Sequence, residues 1–345
     1  PDAALRKDRL RRCIDLLVDH QDELVNALGE DFGGRSPYLS KLSEVLMPIN
    51  HLKHAIKRVE KWMKPEKRPA MFPMGLLGAR ARIEYQPLGV VGVISPWNFP
   101  VNLAFGPLAG VLAAGNRAMI KPSEFTPATS ELMAEMVSEA WDIREVALFT
   151  GGPEVGQAFS GLPFDHLLFT GATGVARHIM AAAARNLVPV TLELGGKSPV
   201  IISRSADVAQ AAQRIMLGKT LNAGQICLAP DYLMVPEEQA DDVVAALQAA
   251  TAEMYPKLLD NPQYTSVVNE RHYERLQGYL KEAQEHGATV TAINPANEDF
   301  AAQEGTHKIP PTLITGAPEE SSVLEDEIFG PLLPIRTYRD FSETI

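Results

Sequence analysis

Along the first sixty residues, apolar positions recur every three or four residues. Leu10, Ile14, Leu17, Leu24 and Leu28 form one stripe, and Leu42, Val45, Leu46, Ile49, Ile56 and Val59 a second, so this stretch predicts two helices. Pro48 falls inside the second stripe and should kink or divide it. Cys13 lies beside the first stripe and reads as a small buried hydrophobe. Residues 65–78, rich in Pro, Met and Gly, predict a loop.

From Arg80 the rhythm changes to short apolar runs alternating with helical spacing. The runs at 89–94, 118–120, 146–149, 166–169 and 188–192 predict strands, with helices over 103–114, 127–140, 154–159 and 175–185. Strands joined by helical crossovers imply a mostly parallel sheet with helices on both faces. The alternation restarts after Leu194, with strands expected at 200–202, 232–235 and 313–315 and helices at 206–221, 237–252 and 271–286. The expectation is an α/β protein of two domains, 1–194 and 195–345, divided between Glu193 and Lys197.

Composition narrows this picture. With 46% hydrophobic and 22% charged residues, the chain is not mostly disordered. A net charge of −11 argues against a nucleic-acid partner, which needs a basic footprint. Two cysteines, Cys13 and Cys227, make no disulfide framework and fit a reducing compartment such as the cytoplasm. Between Tyr85 and Asn116 there is no charged residue, yet Pro96, Pro100 and Pro107, with Asn98 and Asn102, speak against a membrane span. That stretch reads as a buried strand, a polar turn and a buried helix. The polar residues from Pro1 to Arg12 are not followed by an apolar leader core.

Several short motifs bear chemistry, each with a plainer alternative. Cys227 stands in Gly224-Gln225-Ile226-Cys227; a thiolate there is a nucleophile, and a lone cysteine is otherwise inert core. Glu193 ends an apolar run before Gly195-Gly196-Lys197, and is either functional or paired with Lys197. Asn98, between Pro96 and Pro100, is a pre-positioned amide able to stabilise an oxyanion, or a turn residue. Lys121 and Glu124 follow a strand, where they meet a ligand's ribose or simply start the next helix. Gly171-Ala172-Thr173-Gly174 and Gly151-Gly152 also follow strands and precede helices, a placement that suits anions. There is no G-x-G-x-x-G fingerprint and no metal-ligand spacing.

Taken in order, Pro96-Trp97-Asn98-Phe99-Pro100, Lys121-Pro122-Ser123-Glu124, Phe169-Thr170-Gly171, Glu193-Leu194-Gly195-Gly196-Lys197, Gly224-Gln225-Ile226-Cys227 and Glu327-Ile328-Phe329-Gly330-Pro331 resemble the NAD(P)-dependent aldehyde dehydrogenases from Arg80 to Ile335. The run on to Tyr232 is similar to a branch with a short N-terminus that acts on aromatic and fatty aldehydes and includes coniferyl-aldehyde dehydrogenases. The resemblance implies two related Rossmann-like α/β domains, one for the cofactor and one catalytic. It implies Cys227 as nucleophile, Glu193 as general base and Asn98 as oxyanion donor. Lys121 and Glu124 would bind the adenosine ribose, Gly152 and Gly171 the adenine half and pyrophosphate, and Glu327 the nicotinamide ribose. Phe329 would pack at the nicotinamide end and Trp97 along the cofactor path.

Phe99 and Leu103 line an apolar substrate tunnel on this reading, or are ordinary core. Ala172 stands where the family often has Ser, and Ala176 where it has Gly. The family normally continues well beyond Ile345, so the catalytic domain is expected to lack its C-terminal part. NAD is expected as cofactor because Glu124 repels a 2′-phosphate, with NADP the alternative. A homodimer is expected. Competing readings are a coenzyme A-acylating dehydrogenase and a catalytically silent binding protein on the same fold.

Overall fold

The computed structural model describes residues 1–345, which divide into two compact units. One comprises Pro1–Val25 and Lys41–Glu193, the other Asn26–Ser40 and Leu194–Ile345. The division expected at residues 194/195 differs from these units at Leu194 and in one longer stretch, Asn26–Ser40. That stretch is tied to the second unit by hydrogen bonds. Ser266 N–H donates to the Gly34 carbonyl (2.9 Å) and Ser36 Oγ donates to Gln263 Oε1 (2.5 Å).

The N-terminal stripes form α1 (Ala3–Asp19), α2 (Gln21–Asp31), the short α3 (Pro37–Ser40), a π-helical turn (Lys41–Leu46) and α4 (Met47–Trp62). Thus the first expected helix is two, broken at His20. The second stripe stays helical through Leu46 (φ −69°, ψ −39°), and Pro48 falls just after the change from π- to α-helical bonding rather than at a break. It lies in the first turn of α4, where its missing N–H costs nothing. The expected loop after α4 contains part of an antiparallel ribbon, β1 (Glu66–Arg68) with β2 (Ala81–Ile83). Its strands are largely charged and exposed, so they carry no alternation to read.

The first unit's sheet is built from β3 (Val90–Ile94), α5 (Pro100–Ala113), β4 (Arg117–Lys121), α6 (Pro127–Ala140), β5 (Val146–Leu148), α7 (Pro153–Ser160), β6 (His166–Thr170), α8 (Thr173–Ala184) and β7 (Val190–Glu193). The strands are all parallel, in the order β5-β4-β3-β6-β7. The order reverses between β3 and β6, which makes that junction the switch point of the sheet. β3 reads Val-Val-Gly-Val-Ile because it is buried at the centre. A Cβ on Gly92 would lie 2.7 Å from Leu167 and 2.8 Å from Phe164.

α5 is the buried helix expected from the charge-free stretch, and it has no side chain able to cap itself. Its N-cap residue is Phe99. Its C-terminal turn is closed locally by the Gly115 and Asn116 N–H groups on the Leu112 and Val111 carbonyls, and one charged residue from elsewhere in the unit reaches each end. Glu44, fully buried in the π-helical turn, accepts the Asn102 N–H (2.9 Å), and Arg6 of α1 donates to the Ala113 carbonyl (2.9 Å). These charges also match the helix dipole, negative at its N-terminus and positive at its C-terminus.

The second unit's sheet uses β8 (Pro199–Ile201), α9 (Val208–Thr220), β9 (Tyr232–Pro236), α10 (Ala240–Met254), α11 (Glu270–Glu285), β10 (Thr289–Ala292), β11 (Thr312–Thr315), α12 (Ser322–Glu325) and β12 (Leu332–Tyr338). The order is β10-β11-β12-β9-β8, parallel except for the β10–β11 pair. Its core is Leu233, Val235, Val243, Leu247, Leu313 and Leu333. β10 and β12 were not expected. β10 is a short Thr-rich edge strand, and β12 contains Pro334, which disguises a central strand. The expected fold of two α/β units with parallel sheets stands. No helix is long and apolar enough to cross a membrane.

Gly115, at φ 86°, follows α5, and a Cβ there would lie 2.8 Å from the Arg6 guanidinium. Gly115→Ala should therefore destabilise the protein by about 1–3 kcal/mol. Gly110→Ala, in the same helix with nothing near its Cβ position, should be neutral or stabilise by up to about 1 kcal/mol. Thermal unfolding of the two variants checks the contrast; equal melting temperatures would contradict it.

Candidate active site

In the first unit every sequence-predicted site residue leaves the same edge of the sheet. β3 ends at Ile94, and the chain continues through Ser95, Trp97 and Asn98 into α5. Asn98 is 4% exposed, while Trp97, Phe99 and Leu103 are half-buried. The Leu103 N–H donates to the Phe99 carbonyl (2.9 Å), so these two side chains start one turn apart on α5. β4 ends at Lys121, whose buried ammonium donates to the Pro122 carbonyl (2.7 Å) and to Glu124 Oε2 (3.4 Å). Glu124 itself is at the surface.

Gly151 and Gly152 lie between β5 and α7, and Gly171 and Ala172 between β6 and α8. Neither helix has a side-chain cap at its start, and α7 opens on Pro153, which has no N–H, so the start with amides suited to an anion is that of α8. Gly171 N–H donates to the Glu193 carbonyl (3.0 Å). A Cβ on Gly171 would lie 2.6 Å from the Phe169 ring. Glu193 ends β7 with its side chain exposed. Asn98, Lys121, Glu124, Gly152, Gly171 and Glu193 thus all follow the carboxyl ends of parallel strands, where open α/β sheets bind ligands. Ser95, which the sequence reading did not single out, has its Oγ buried there without a hydrogen-bond partner.

The second unit holds Cys227 on a bent loop. After α9 comes a turn, Leu221–Gly224, in which Asn222 (φ 50°), Ala223 (φ 52°) and Gly224 (φ 73°) are all left-handed. Two of these are not glycine, so the bend is strained and must be held. Gln225 holds it. Its fully buried amide donates to the Asn222 (2.9 Å) and Ser266 (3.0 Å) carbonyls and accepts from Val268 N–H (3.0 Å). Gly224 is obligatory, since a Cβ would lie 2.3 Å from the Gly330 carbonyl oxygen. The two cysteines contrast sharply. Cys13 is sealed in the core, where burial pushes its thiol far above the ordinary value, whereas Cys227 is exposed.

Around this loop lies a network that motif reading missed. Lys197 does not await Glu193. Its ammonium bonds Asp231 and the carbonyls of Val323 (3.1 Å) and Asp326 (2.7 Å). Asp231 also accepts Ile328 N–H (2.9 Å), and Arg275 donates to the Ile328 carbonyl (2.9 Å), which fixes the segment bearing Glu327 and Phe329. The signal for Asp231 was a carboxylate between apolar residues, four positions after Cys227. Phe329 is left-handed (φ 47°) and half-buried.

Glu327 is half-buried. Desolvation raises its carboxyl above the ordinary value, and the Gly196 N–H opposes that rise. Its Oε1 is buried without a hydrogen-bond partner, and a Cβ on Gly195 would fall 1.9 Å from Oε2. An orphaned acceptor beside a bare glycine fits a ligand that offers hydroxyl donors, as a cofactor ribose does. No group of His, Cys, Asp and Glu is arranged to hold a metal.

The chain belongs to the aldehyde dehydrogenase family, whose profile matches residues 2–345. It is an NAD(P)-dependent enzyme that oxidises an aldehyde to the carboxylic acid; the acylating and silent alternatives are not favoured. Among its relatives, a probable coniferyl aldehyde dehydrogenase of Caulobacter vibrioides is 60% identical over 100% of this chain and 71% of its own length. A coniferyl aldehyde dehydrogenase of Pseudomonas sp. is 57% identical over 99% of this chain and 70% of its own. A substrate-bound structure of Staphylococcus aureus AldH is 35% identical with a TM-score of 0.91, covering 99% of this chain and 72% of that one. A betaine aldehyde dehydrogenase from Staphylococcus aureus in complex with NAD+ is 27% identical with a TM-score of 0.87, over 99% of this chain and 67% of that one.

Lys219, in the last turn of α9, is 1% exposed. Desolvation, opposed by Asp231 and helped by Lys197, lowers its pKa from 10.5 to about 7. In the unfolded chain the ammonium persists to about pH 10.5, so this group's penalty on folding is full below pH 7 and fades between 7 and 10.5. Lys219→Met should accordingly stabilise the protein most below pH 7, with the gain shrinking toward pH 10. Melting temperatures of both proteins across that range check it; a pH-independent difference would refute it.

Proposed function

We propose that Cys227 is the nucleophile, Asn98 the oxyanion donor and Glu193 the general base of aldehyde oxidation. The observation that carries this reading is the exposed Cys227 on a strained, hydrogen-bonded loop, in a chain whose other cysteine is buried. The Cys227 thiolate attacks the aldehyde carbon and forms a thiohemiacetal. The Asn98 amide and the Cys227 N–H stabilise the oxyanion, a contribution of ~3 kcal/mol where such donors have been removed. When bound, the nicotinamide supplies the hydride acceptor, which leaves a thioester on Cys227. Glu193 then takes a proton from water, and the resulting hydroxide releases the carboxylic acid.

The first unit is proposed as the dinucleotide-binding domain and the second as the catalytic domain. Lys121 and Glu124 would hold the adenosine ribose, Gly152 and Gly171 the adenine half and pyrophosphate, with Trp97 along the path. Glu327 would accept from the nicotinamide ribose, and Phe329 would pack at the nicotinamide end. NAD is favoured over NADP. The Glu124 carboxylate, paired with Lys121, accepts ribose hydroxyls and repels a 2′-phosphate. For the substrate we propose coniferyl aldehyde or a related aromatic aldehyde, supported by the names of the two relatives above and by the apolar pair Phe99 and Leu103. A cytoplasmic homodimer completes the reading.

NADH absorbance with coniferyl aldehyde, benzaldehyde and hexanal tests the assignment. Cys227→Ala should form no NADH. Glu193→Gln should keep the first-turnover burst and lose about 10²–10⁴-fold in steady-state rate. Unchanged turnover in Glu193→Gln would remove it from the role, and a lost burst would move it to an earlier step. Separately, Gly195→Ala should displace the Glu327 carboxylate and weaken NAD+ binding about tenfold or more, roughly the loss of one hydrogen bond to a charged group. Quenching of protein fluorescence by NAD+ measures this without turnover; unchanged affinity would exclude Glu327 from the cofactor site.

A further inference from the structure

We infer that Glu44 is a positioning residue for Asn98, acting through the first turn of α5. This deepens the proposed mechanism and rests on the role given there to Asn98. Glu44 lies within the π-helical turn Lys41–Leu46 and is fully buried. Burying a carboxylate is costly unless it is bonded, and one of its bonds is the Asn102 N–H at 2.9 Å. Asn102 is the third residue of α5, and the second residue before Pro100 is Asn98.

The local sequence cannot fix this helix start. Phe99 occupies the N-cap and offers no side-chain acceptor, and Pro100 supplies no N–H. The position of α5 along its axis, and with it that of Asn98, therefore depends on an acceptor from another element. A π-helical turn inserts one extra residue per turn relative to an α-helix, and such turns are frequent at functional sites. Here the turn directly precedes Pro48 and α4, and it delivers Glu44 to the α5 N-terminus. The carboxylate also lies at the positive end of the helix dipole, which strengthens the bond.

The test is a double-mutant cycle read in kcat, KM and melting temperature. Glu44→Met removes the acceptor at similar volume and should lower kcat about 10–100-fold, as a displaced catalytic donor does, with NAD+ affinity unchanged. Glu44→Gln keeps an acceptor and should recover to within about fivefold of the parent. In an Asn98→Ala background, Glu44→Met should change kcat less than about twofold, because the donor it positions is gone. If the Met variant does not fold, Glu44→Asp, one methylene short of Asn102, replaces it with the same pattern expected at smaller size.

Equal kcat losses in both backgrounds, or a lowered melting temperature with parental kcat, would overturn the inference and leave Glu44 as a structural cap. Loss of kcat in Asn98→Ala with none in Glu44→Met would overturn it while leaving the Asn98 assignment intact. Parental kcat in Asn98→Ala would overturn that assignment, and this inference with it.

Discussion

The uncharged strand and helix at the centre of the first unit impose the constraint on which its other features depend. β3 and α5 are buried because nothing between Tyr85 and Asn116 carries a charge. A buried helix still has unsatisfied amides at one end and carbonyls at the other. The first turn of α5 has no side-chain cap of its own, while at its last turn the N–H groups of Gly115 and Asn116 reach the Leu112 and Val111 carbonyls and leave Ala113 to another partner. The chain meets the need with two buried charged residues, Glu44 and Arg6, brought from α1 and the turn before α4. The N-terminal helices are therefore more than a cover for the sheet. They set where α5 begins, and so where the Asn98 turn stands.

The same topology gathers the rest of the edge. In a parallel sheet every strand ends on one side, so any polar residue placed after a strand arrives on that side without further design. Lys121, Gly152, Gly171 and Glu193 come from β4, β5, β6 and β7 by this route. Small side chains then become a steric requirement rather than a matter of flexibility. Gly171 makes room for the Phe169 ring, and in the second unit Gly195 does so for Glu327 and Gly224 for the Gly330 carbonyl.

How much of this was legible depends on whether the signal is local. Each run that became a strand of the first unit's parallel sheet announced itself, because each centres on a short apolar run, from the nearly all-buried β3 to the half-exposed β7. The placement of the motifs after strands was equally legible, since Asn98 between two prolines and Gly195-Gly196 after Glu193 are short-range patterns. What escaped was whatever depends on a distant partner. β12 carries a proline, β10 is a polar edge, and Asn26–Ser40 joins the second unit through partners more than two hundred residues away. Glu44 likewise stands within the second apolar stripe with nothing local to mark Asn102, 58 residues on, as its partner.

Lys197 shows most clearly why proximity in sequence misleads. Four residues from Glu193, it invites a simple ion pair. Instead it bonds Asp231, which in turn holds the Ile328 amide, so one ammonium knits the segment before β8 to the segments before β9 and β12. This network does two things at once. It anchors the turn bearing Glu327 and Phe329, and it occupies the Lys197 ammonium with three acceptors of its own unit. A base bonded to an ammonium would be a poorer acceptor for a proton from water. With the Lys197 ammonium occupied inside its own unit, the base role proposed for Glu193 does not depend on that neighbour in sequence.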